Sequence, residues 1–284
     1  MMMERRKAIY PLIGFPIWYG EGRDPSALMS SIRRAHFDYV EVSLDYPWPF
    51  KDVSRLDEII GEAKRKGLKV ALHAPWRDVK LSSPIEGIRK ESLEFFKSAL
   101  MEVRGHFEYV VLHLTTDQTV ERSEIVRREA LEAAIDSLRT LIGLSRELGQ
   151  KLAIENVRES VSQIASLAST FPELPLCLDV GHLISSVTRM RGDPREALSE
   201  WAERLAGRTL VVHLSGVRKM GKYVVDHLWV SIRSPLARFA VEIIKRLKPG
   251  YVLLEVFQNS KGEDVDPSEL KGVVRHLKTR LGGI

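Results

Sequence analysis

The chain has one cysteine, Cys177, in 284 residues. A single thiol cannot form an internal disulfide or a cluster of thiolate ligands, so a disulfide-based scaffold and a cysteine zinc site are both excluded. Apolar runs are short as well, and none approaches the roughly 20 residues that cross a bilayer. Charged residues occupy positions 4–7, where a secretory signal would need its apolar core. We therefore expect a cytoplasmic protein without a membrane partner.

Amide side chains are scarce: asparagine occurs only at Asn156 and Asn259, and glutamine at four positions. Lysine, arginine and glutamate are abundant, and this combination is typical of a heat-adapted protein. The net charge is +5, from 43 basic and 38 acidic residues. Because the two signs are interspersed along the chain, the charge predicts no polyanionic partner by itself.

Six short apolar runs share one feature, which is that each ends on a side chain able to bind a metal ion. The six terminal residues are His73, His113, Glu155, Asp179, His213 and Glu255. Runs of this length are typical of parallel strands that are covered on both faces. A lone histidine in this position is usually a core or surface residue, but three of the eight histidines occupy it. The shared position predicts a metal centre at one end of a sheet.

Eight apolar strands alternate with helical segments along the chain. They are predicted at residues 9–15, 39–43, 69–73, 109–114, 151–156, 176–180, 210–214 and 251–256. The length of 284 residues is close to the roughly 250 residues typical of a (β/α)8 barrel. An open doubly wound sheet is the alternative, but it seldom brings six strand ends to one point. The sequence predicts the α/β class and a single-domain TIM barrel over residues 1–284.

Helix starts are marked by an aspartate or serine directly before a proline. The five pairs are Asp24-Pro25, Ser83-Pro84, Asp193-Pro194, Ser234-Pro235 and Asp266-Pro267. The side-chain oxygen can accept from free backbone N–H groups, and a proline in the first helical position loses no hydrogen bond. Each pair therefore predicts a helix that begins at its proline.

The candidate ligands at the strand ends divide by chemistry into two sets, of which the first is the firmer. Three carboxylates and one imidazole suit Mn²⁺, Mg²⁺, Co²⁺ or Zn²⁺, and this set is Glu155, Asp179, His213 and Glu255. His73 and His113 add two imidazoles from neighbouring strands. With Glu155 as a bridging ligand, they predict a second ion, which we expect to be Zn²⁺.

A third candidate set consists of His182, Asp226 and His227. His182 lies three residues after Asp179, where it could bind a metal or donate a hydrogen bond to a substrate. Asp226 and His227 are adjacent, and adjacent side chains on an extended segment point to opposite sides. A shared ion is therefore not expected there. The sequence predicts one divalent ion, with up to three if all sets are filled.

Several motifs together resemble those of the xylose isomerase-like TIM barrels (AP endonuclease family 2), which include endonuclease IV and the tagatose 3-epimerase type sugar isomerases. The matching segments are His73-Ala-Pro75, Arg89-Lys-Glu-Ser92, Glu155-Asn156, Leu178-Asp-Val-Gly-His182, Val212-His-Leu214 and Leu254-Glu255. The resemblance extends from Ile9 to about Phe257. It implies the same barrel and a metal site at its mouth.

The endonuclease IV branch implies three zinc ions and damaged DNA as the substrate. Its ligand pattern carries over to His73, His113, Glu155, Asp179, His182, His213, Asp226 and Glu255, with a final histidine two residues after the aspartate. Here that histidine, His227, follows Asp226 directly. The Gly-x-Gly that usually comes next is absent from residues 228–234, and the segment after Glu155 lacks the small residues of the endonucleases.

The isomerase branch implies a single ion held by Glu155, Asp179, His213 and Glu255. Metal chelation by a keto sugar acidifies the neighbouring C–H, and two carboxylates can then remove and return the proton. Glu155 and Glu255 have this catalytic role by resemblance, and His182, Arg218 and Lys219 would contact substrate hydroxyls or phosphate.

The sequence thus favours an isomerase or epimerase of sugars or sugar phosphates, ahead of an abasic-site DNA endonuclease. A non-catalytic nucleic-acid-binding or sugar-binding barrel is a third hypothesis, suggested by the isoelectric point near 9.2. A homo-oligomer is left open.

Overall fold

The computed structural model describes residues 10–103, 105–120, 122–221, 223–259 and 261–282. Within these ranges the strands are β1 (Leu12–Ile17), β2 (Tyr39–Ser43), β3 (Lys69–His73), β4 (Val110–His113), β5 (Leu152–Glu155), β6 (Leu176–Asp179), β7 (Thr209–Leu214), β8 (Gly216–Met220), β9 (Tyr223–Leu228) and β10 (Tyr251–Leu254). The α-helices are α1 (Pro25–Arg34), α2 (Val53–Arg65), α3 (Glu86–Glu102), α4 (Glu124–Leu148), α5 (Val161–Thr170), α6 (Val180–Arg189), α7 (Pro194–Leu205), α8 (Pro235–Leu247) and α9 (Lys271–Arg280).

Eight of the strands pair in parallel and close into a barrel, in the order β1-β10-β7-β6-β5-β4-β3-β2. The predicted α/β class and (β/α)8 barrel are confirmed. Each predicted strand is present, although residue 9, the predicted start of the first, lies outside the described residues. In the described part of the chain, no helix is long and apolar enough to cross a membrane.

Two features interrupt the regular alternation of strand and helix. Two helices, α6 and α7, follow β6 where one is usual, and an antiparallel hairpin of β8 and β9 lies between β7 and α8. The sequence predicted neither feature. Because the loops after barrel strands build the mouth in this fold, the hairpin stands beside the predicted metal centre.

Proline-marked starts are confirmed for three helices. Asp24 accepts a hydrogen bond from Ala27 N at 2.8 Å, and Asp193 accepts one from Arg195 N at 2.8 Å. The third helix, α8, begins at Pro235 but Ser234 makes no side-chain capping bond.

Two predicted helix starts are wrong. Ser83 Oγ accepts from Ile85 N at 3.2 Å, and α3 begins only at Glu86. Asp266 Oδ1 accepts from Ser268 N at 2.8 Å, and α9 begins at Lys271. In both places the side-chain oxygen bonds to the backbone two residues later, so the pair closes a turn instead of starting a helix.

The apolar core has two parts. A large cluster fills the space between the sheet and the surrounding helices. A smaller one fills the barrel interior with the side chains of Tyr39, Ala71, Tyr109, Val111, Ala153, Cys177, Val211 and Leu253. Six of these interior residues stand two positions before a predicted metal ligand. Since side chains alternate along a strand, the ligands also point into the barrel, one layer nearer its mouth.

Candidate metal centre

The ligand side chains at the ends of six barrel strands lie together in one buried region. His73, His113, Glu155, Asp179, His213 and Glu255 are each at most 8% exposed. The closed barrel causes this convergence, because parallel strands direct all their carboxyl ends to one mouth. The described residues form four groups of possible ligands. One of them, Glu155, Cys177 and His213, adds only a buried thiol to two residues of another group, so three groups are distinct.

The first group consists of Glu155, Asp179, His213 and Glu255, with one ligand atom of each within 4.8 Å of the others. His213 Nδ1 lies 3.1 Å from Glu255 Oε2 and 3.6 Å from Glu155 Oε1. Glu155 Oε1, Asp179 Oδ2, His213 Nδ1 and Glu255 Oε2 are buried without a hydrogen-bond partner among the described residues. Leaving such atoms unpaired costs about 1–3 kcal/mol each, whereas a divalent cation would satisfy all four. The donor set therefore fits a metal ion.

Asp179 is held in place by both of its neighbouring segments. The Asn156 side chain donates to Asp179 O at 3.0 Å and accepts from Asp179 N at 2.9 Å. Asp179 Oδ1 accepts from His182 N and so caps the start of α6. With one oxygen engaged by the helix, the other faces the remaining ligands. Asn156, directly after Glu155, thus links the ends of two strands.

The second group is His73, His113 and Glu155. His73 Nδ1 lies 2.9 Å from Ala74 O, to which it can donate, and this leaves His73 Nε2 at 3.4 Å from Glu155 Oε2. His113 Nε2 is 3.1 Å from the same oxygen. Glu155 thus presents Oε2 to this group and Oε1 to the first, which is the arrangement of a bridging carboxylate.

The third group corrects an expectation from the sequence. Asp226 and His227 are neighbours on β9, where regular alternation would point their side chains to opposite faces. His227 has φ 54°, in the left-handed region, which breaks the alternation. One ligand atom each from His182, Asp226 and His227 lies within 4.8 Å of the others. The expectation that these residues are badly placed for a common ion is wrong.

Close packing holds the hairpin against α6. Ser215 Oγ accepts a hydrogen bond from His227 N at 3.2 Å. A Cβ on Gly181 would lie 3.1 Å from Asp226 Cβ and would overlap the Ser215 hydroxyl, so only glycine permits this approach. On the other side, Phe257 N donates to His227 O at 3.0 Å, and the two rings lie 4.8 Å apart.

Burial and charge compete at the titratable groups of the centre. Burial disfavours the charge of Glu155, but His213 and His113 outweigh it and hold the pKa of Glu155 well below its usual value. Burial also opposes the imidazolium of His73, yet Glu155 raises the pKa of His73 to about 9. For Asp179, burial dominates and raises the pKa to about 7. Ligand groups must lose their protons to bind a metal, so a divalent cation at this centre would compete with protons for the same atoms.

A family model described as a xylose isomerase-like TIM barrel matches residues 30–279. The chain belongs to this family. The resemblance of the sequence motifs is thereby confirmed. Among curated proteins, the uncharacterized protein MJ1614 of Methanocaldococcus jannaschii is 31% identical over 126 residues, or 42% of this chain. The match spans 49% of that relative, about half of its length.

Solved structures share the fold over nearly the whole chain. A D-tagatose 3-epimerase-like protein is 17% identical with a TM-score of 0.67, and the match covers 95% of this chain and 98% of the other. Endonuclease IV from Thermus thermophilus is 18% identical with a TM-score of 0.61, and the match covers 96% and 100%. Identities of this size show the fold alone, so the activity has to be argued from the site.

In this xylose isomerase-like barrel, a cavity of about 700 Å³ opens above the ligands. Its wall includes three aromatic residues, Trp18, Trp76 and Phe257, and three cationic residues, Arg77, Lys80 and Arg158. Arg77 stacks on Trp76 with its guanidinium carbon 4.3 Å from the ring centre. It also pairs with Asp45 at 3.3 Å, while Lys80 pairs with Asp117 at 3.0 Å. The wall also carries the acidic residues Asp78 and Asp117, so it offers aromatic faces together with side chains of both charges.

Two predicted substrate contacts lie away from this cavity. Arg218 and Lys219 are exposed on β8, and neither is among the described residues that line the cavity. The prediction that they contact substrate gains no support from this placement. His182 does line the cavity, where it could bind a metal or contact a substrate.

Sequence reasoning missed one buried acid in the same region. Glu41 is 3% exposed and lies on β2, and it forms part of the cavity floor. The available signal was a carboxylate within an otherwise apolar strand, because a buried charge needs a partner.

Proposed function

We propose that this chain is a metal-dependent phosphodiesterase that binds three divalent ions and cleaves DNA at abasic sites. The observation that carries the proposal is the third ligand group, in which His182, Asp226 and His227 come together. The sequence favoured a one-ion isomerase because this group was not expected to form. With all three groups present, the site offers more candidate ligands than a single ion would use.

The three groups form one continuous set. Glu155 belongs to the first and second groups, and His182 Nδ1 of the third lies 3.4 Å from Glu155 Oε1. When bound, closely spaced ions supply a clamp for the phosphodiester oxygens and an activated water. Glu155 would orient two of these ions, and His182 and His227 would hold the third.

The cavity wall supports the same substrate. Arg158 can offer positive charge to a phosphate backbone, whereas Arg77 and Lys80 are paired with Asp45 and Asp117 and would have to exchange these partners for phosphate. Phosphate contacts dominate the affinity of proteins for DNA. Trp18 and Trp76 offer aromatic faces against which a base or sugar can stack. The cavity of about 700 Å³ has room for an extruded sugar-phosphate unit, and extrusion costs least where the base is already missing.

The test combines metal content with cleavage by the full chain. The protein is stripped with a chelator, reloaded with Zn²⁺ and analysed for metal per chain. It is then incubated with a duplex oligonucleotide carrying one abasic site and with the intact duplex as the control. We expect three ions and a single cut in the abasic duplex only. One ion with no cut would overturn the proposal.

A second candidate function is a sugar or sugar-phosphate isomerase or epimerase. One observation favours it: the first ligand group is complete by itself and brings two glutamates, Glu155 and Glu255, to the same imidazole. Two carboxylates beside one ion can remove a proton from a keto sugar and return it. Incorporation of solvent deuterium into a keto sugar or keto sugar phosphate by the one-ion protein, lost in Glu255→Gln, would support this function instead.

A further inference from the structure

Glu41 lies inside the barrel, below the proposed ions. Its side chain is buried beside the apolar residues of the barrel interior. Carboxylates in such surroundings are destabilising unless hydrogen bonds compensate for the lost hydration. The hydrogen-bond partners of Glu41 therefore indicate what stabilises its carboxylate at this position.

One oxygen of Glu41 meets two different side chains. The Tyr109 hydroxyl donates to Glu41 Oε2 at 2.7 Å, and His213 Nε2 lies 3.3 Å from the same atom. The Tyr109 hydroxyl is in turn 3.0 Å from the Tyr39 hydroxyl. A side chain at position 14 would overlap the Tyr39 ring, so Gly14 provides the room for this network.

The two ring nitrogens of His213 therefore face different partners. Nε2 faces Glu41, whereas Nδ1 faces Glu155 and Glu255 and has no hydrogen-bond partner among the described residues. A neutral imidazole has one N–H and one lone pair. If Nε2–H donates to Glu41, the lone pair is on Nδ1 and points at the first ligand group.

We propose that Glu41 is a positioning residue that fixes the Nε2–H tautomer of His213 and directs Nδ1 to the metal ion. The proposal rests on the metal centre of the proposed function but is independent of the reaction that the centre performs. Carboxylates that orient a ligand histidine in this way typically change metal affinity by 10- to 100-fold when they are replaced.

The experiment compares Glu41→Gln with Glu62→Gln in the full chain. Glu62 is also buried, but it lies on α2 and pairs with Arg65 at 2.5 Å, outside the barrel. Zn²⁺ affinity is measured by competition with a chelator, and the His213 tautomer by ¹⁵N NMR of the imidazoles. Thermal unfolding of the metal-free protein reports on structural effects. We expect about 10- to 100-fold weaker Zn²⁺ binding for Glu41→Gln, with an altered His213 signal, and no change for Glu62→Gln.

A second variant keeps the proposal testable if Glu41→Gln does not fold. Tyr109→Phe removes the hydroxyl that holds Glu41 from the other side without touching His213, and we expect a smaller loss of Zn²⁺ affinity in the same direction. Unchanged affinity and an unchanged His213 signal in a folded Glu41→Gln protein would overturn the role of Glu41. If the parent chain itself binds no Zn²⁺, the metal centre fails, and the role of Glu41 fails with it.

Discussion

The imidazoles of His182 and His227 face each other with their Nε2 atoms 3.2 Å apart and their rings at 85°. His182 Nδ1 lies 3.3 Å from Asn156 O, and when it donates there, a neutral His182 has its lone pair on Nε2. Two ring nitrogens directed at one point can share a proton or a metal ion. Asp226 Oδ1, at 3.8 Å from His227 Nε2, adds the negative charge that favours the ion.

Gly181→Ala tests the packing that creates this arrangement. The new methyl group would overlap the Ser215 hydroxyl and would lie within 3.2 Å of Asp226 Cβ and Asp179 Oδ1, and relieving the overlap costs about 1–3 kcal/mol. If the hairpin moves away to relieve it, the third ion should bind roughly tenfold or more weakly, with a smaller loss at the first group, where Asp179 is a ligand, and none at the second. Zn²⁺ titration with calorimetry measures the three affinities. The control is Gly143→Ala on α4, where a Cβ would meet no atom within 4 Å. A uniform loss at all three sites would contradict the prediction.

Glu155→Ala tests whether the first and second groups share a ligand. Glu155 lies within ligand distance of both groups, and its removal also relieves crowding of buried charge. We expect metal content to fall from three ions to one, with loss of activity and an unchanged circular dichroism spectrum. Elemental analysis after dialysis measures the ions, and Glu147→Ala on exposed α4 surface is the control. A variant that retains full metal content would refute the shared centre.

The barrel and six of its ligands were predictable because both follow from a regular pattern. Parallel strands alternate with a period of two residues and end at one mouth, so an apolar run followed by His, Asp or Glu places that side chain by symmetry alone. His73, His113, Glu155, Asp179, His213 and Glu255 all obey this rule. It also holds for Glu41, which follows the interior residue Tyr39 by two positions. Glu41 was not identified from the sequence because it lies in the middle of its strand, whereas each of the six ligands ends an apolar run.

The hairpin was not predictable in the same way. The third ligand group depends on the positive φ of His227 and on the space at Gly181, and neither is a periodic property of the chain. The two wrong helix starts have a similar cause. Ser83 and Asp266 bond locally within turns, and the same residue pairs can cap a helix or close a turn.

Acid should weaken one ion pair near the mouth. Arg23 binds Glu21 through two nitrogens, with Nη2–Oε2 at 2.5 Å and Nε–Oε1 at 2.7 Å. Partial burial opposes the charge of Glu21, but the hydrogen bonds of Arg23 outweigh it and hold the pKa of Glu21 below its usual value. A carboxylate with a lowered pKa stabilises the fold above its unfolded pKa of about 4.3, and this contribution is lost as the pH falls.

We therefore expect Glu21→Gln to lower the free energy of unfolding by about 0.5–1 kcal/mol at pH 7, the range of partly exposed pairs. The difference from the parent protein should shrink steadily towards pH 3. Urea unfolding at pH 7, 5 and 3 measures it, with Glu147→Gln as a control for charge removal at the surface. An equal difference at all three pH values would be incompatible with this linkage.

His227→Ala separates the two candidate functions. In a three-ion phosphodiesterase, loss of this ligand removes the third ion, so we expect two ions per chain. Cleavage of an abasic duplex should fall by more than about 100-fold, which exceeds the loss that follows replacement of a residue that only orients a ligand. In a one-ion isomerase, the change removes no ligand of the first group, although His227 Nδ1 lies 3.6 Å from Glu255 Oε2, so proton exchange with a keto sugar should continue. His106→Ala, at an exposed position, controls for the loss of an imidazole. Cleavage that persists in His227→Ala with only two ions would show that the third group is dispensable, and retained deuterium exchange would then favour the isomerase.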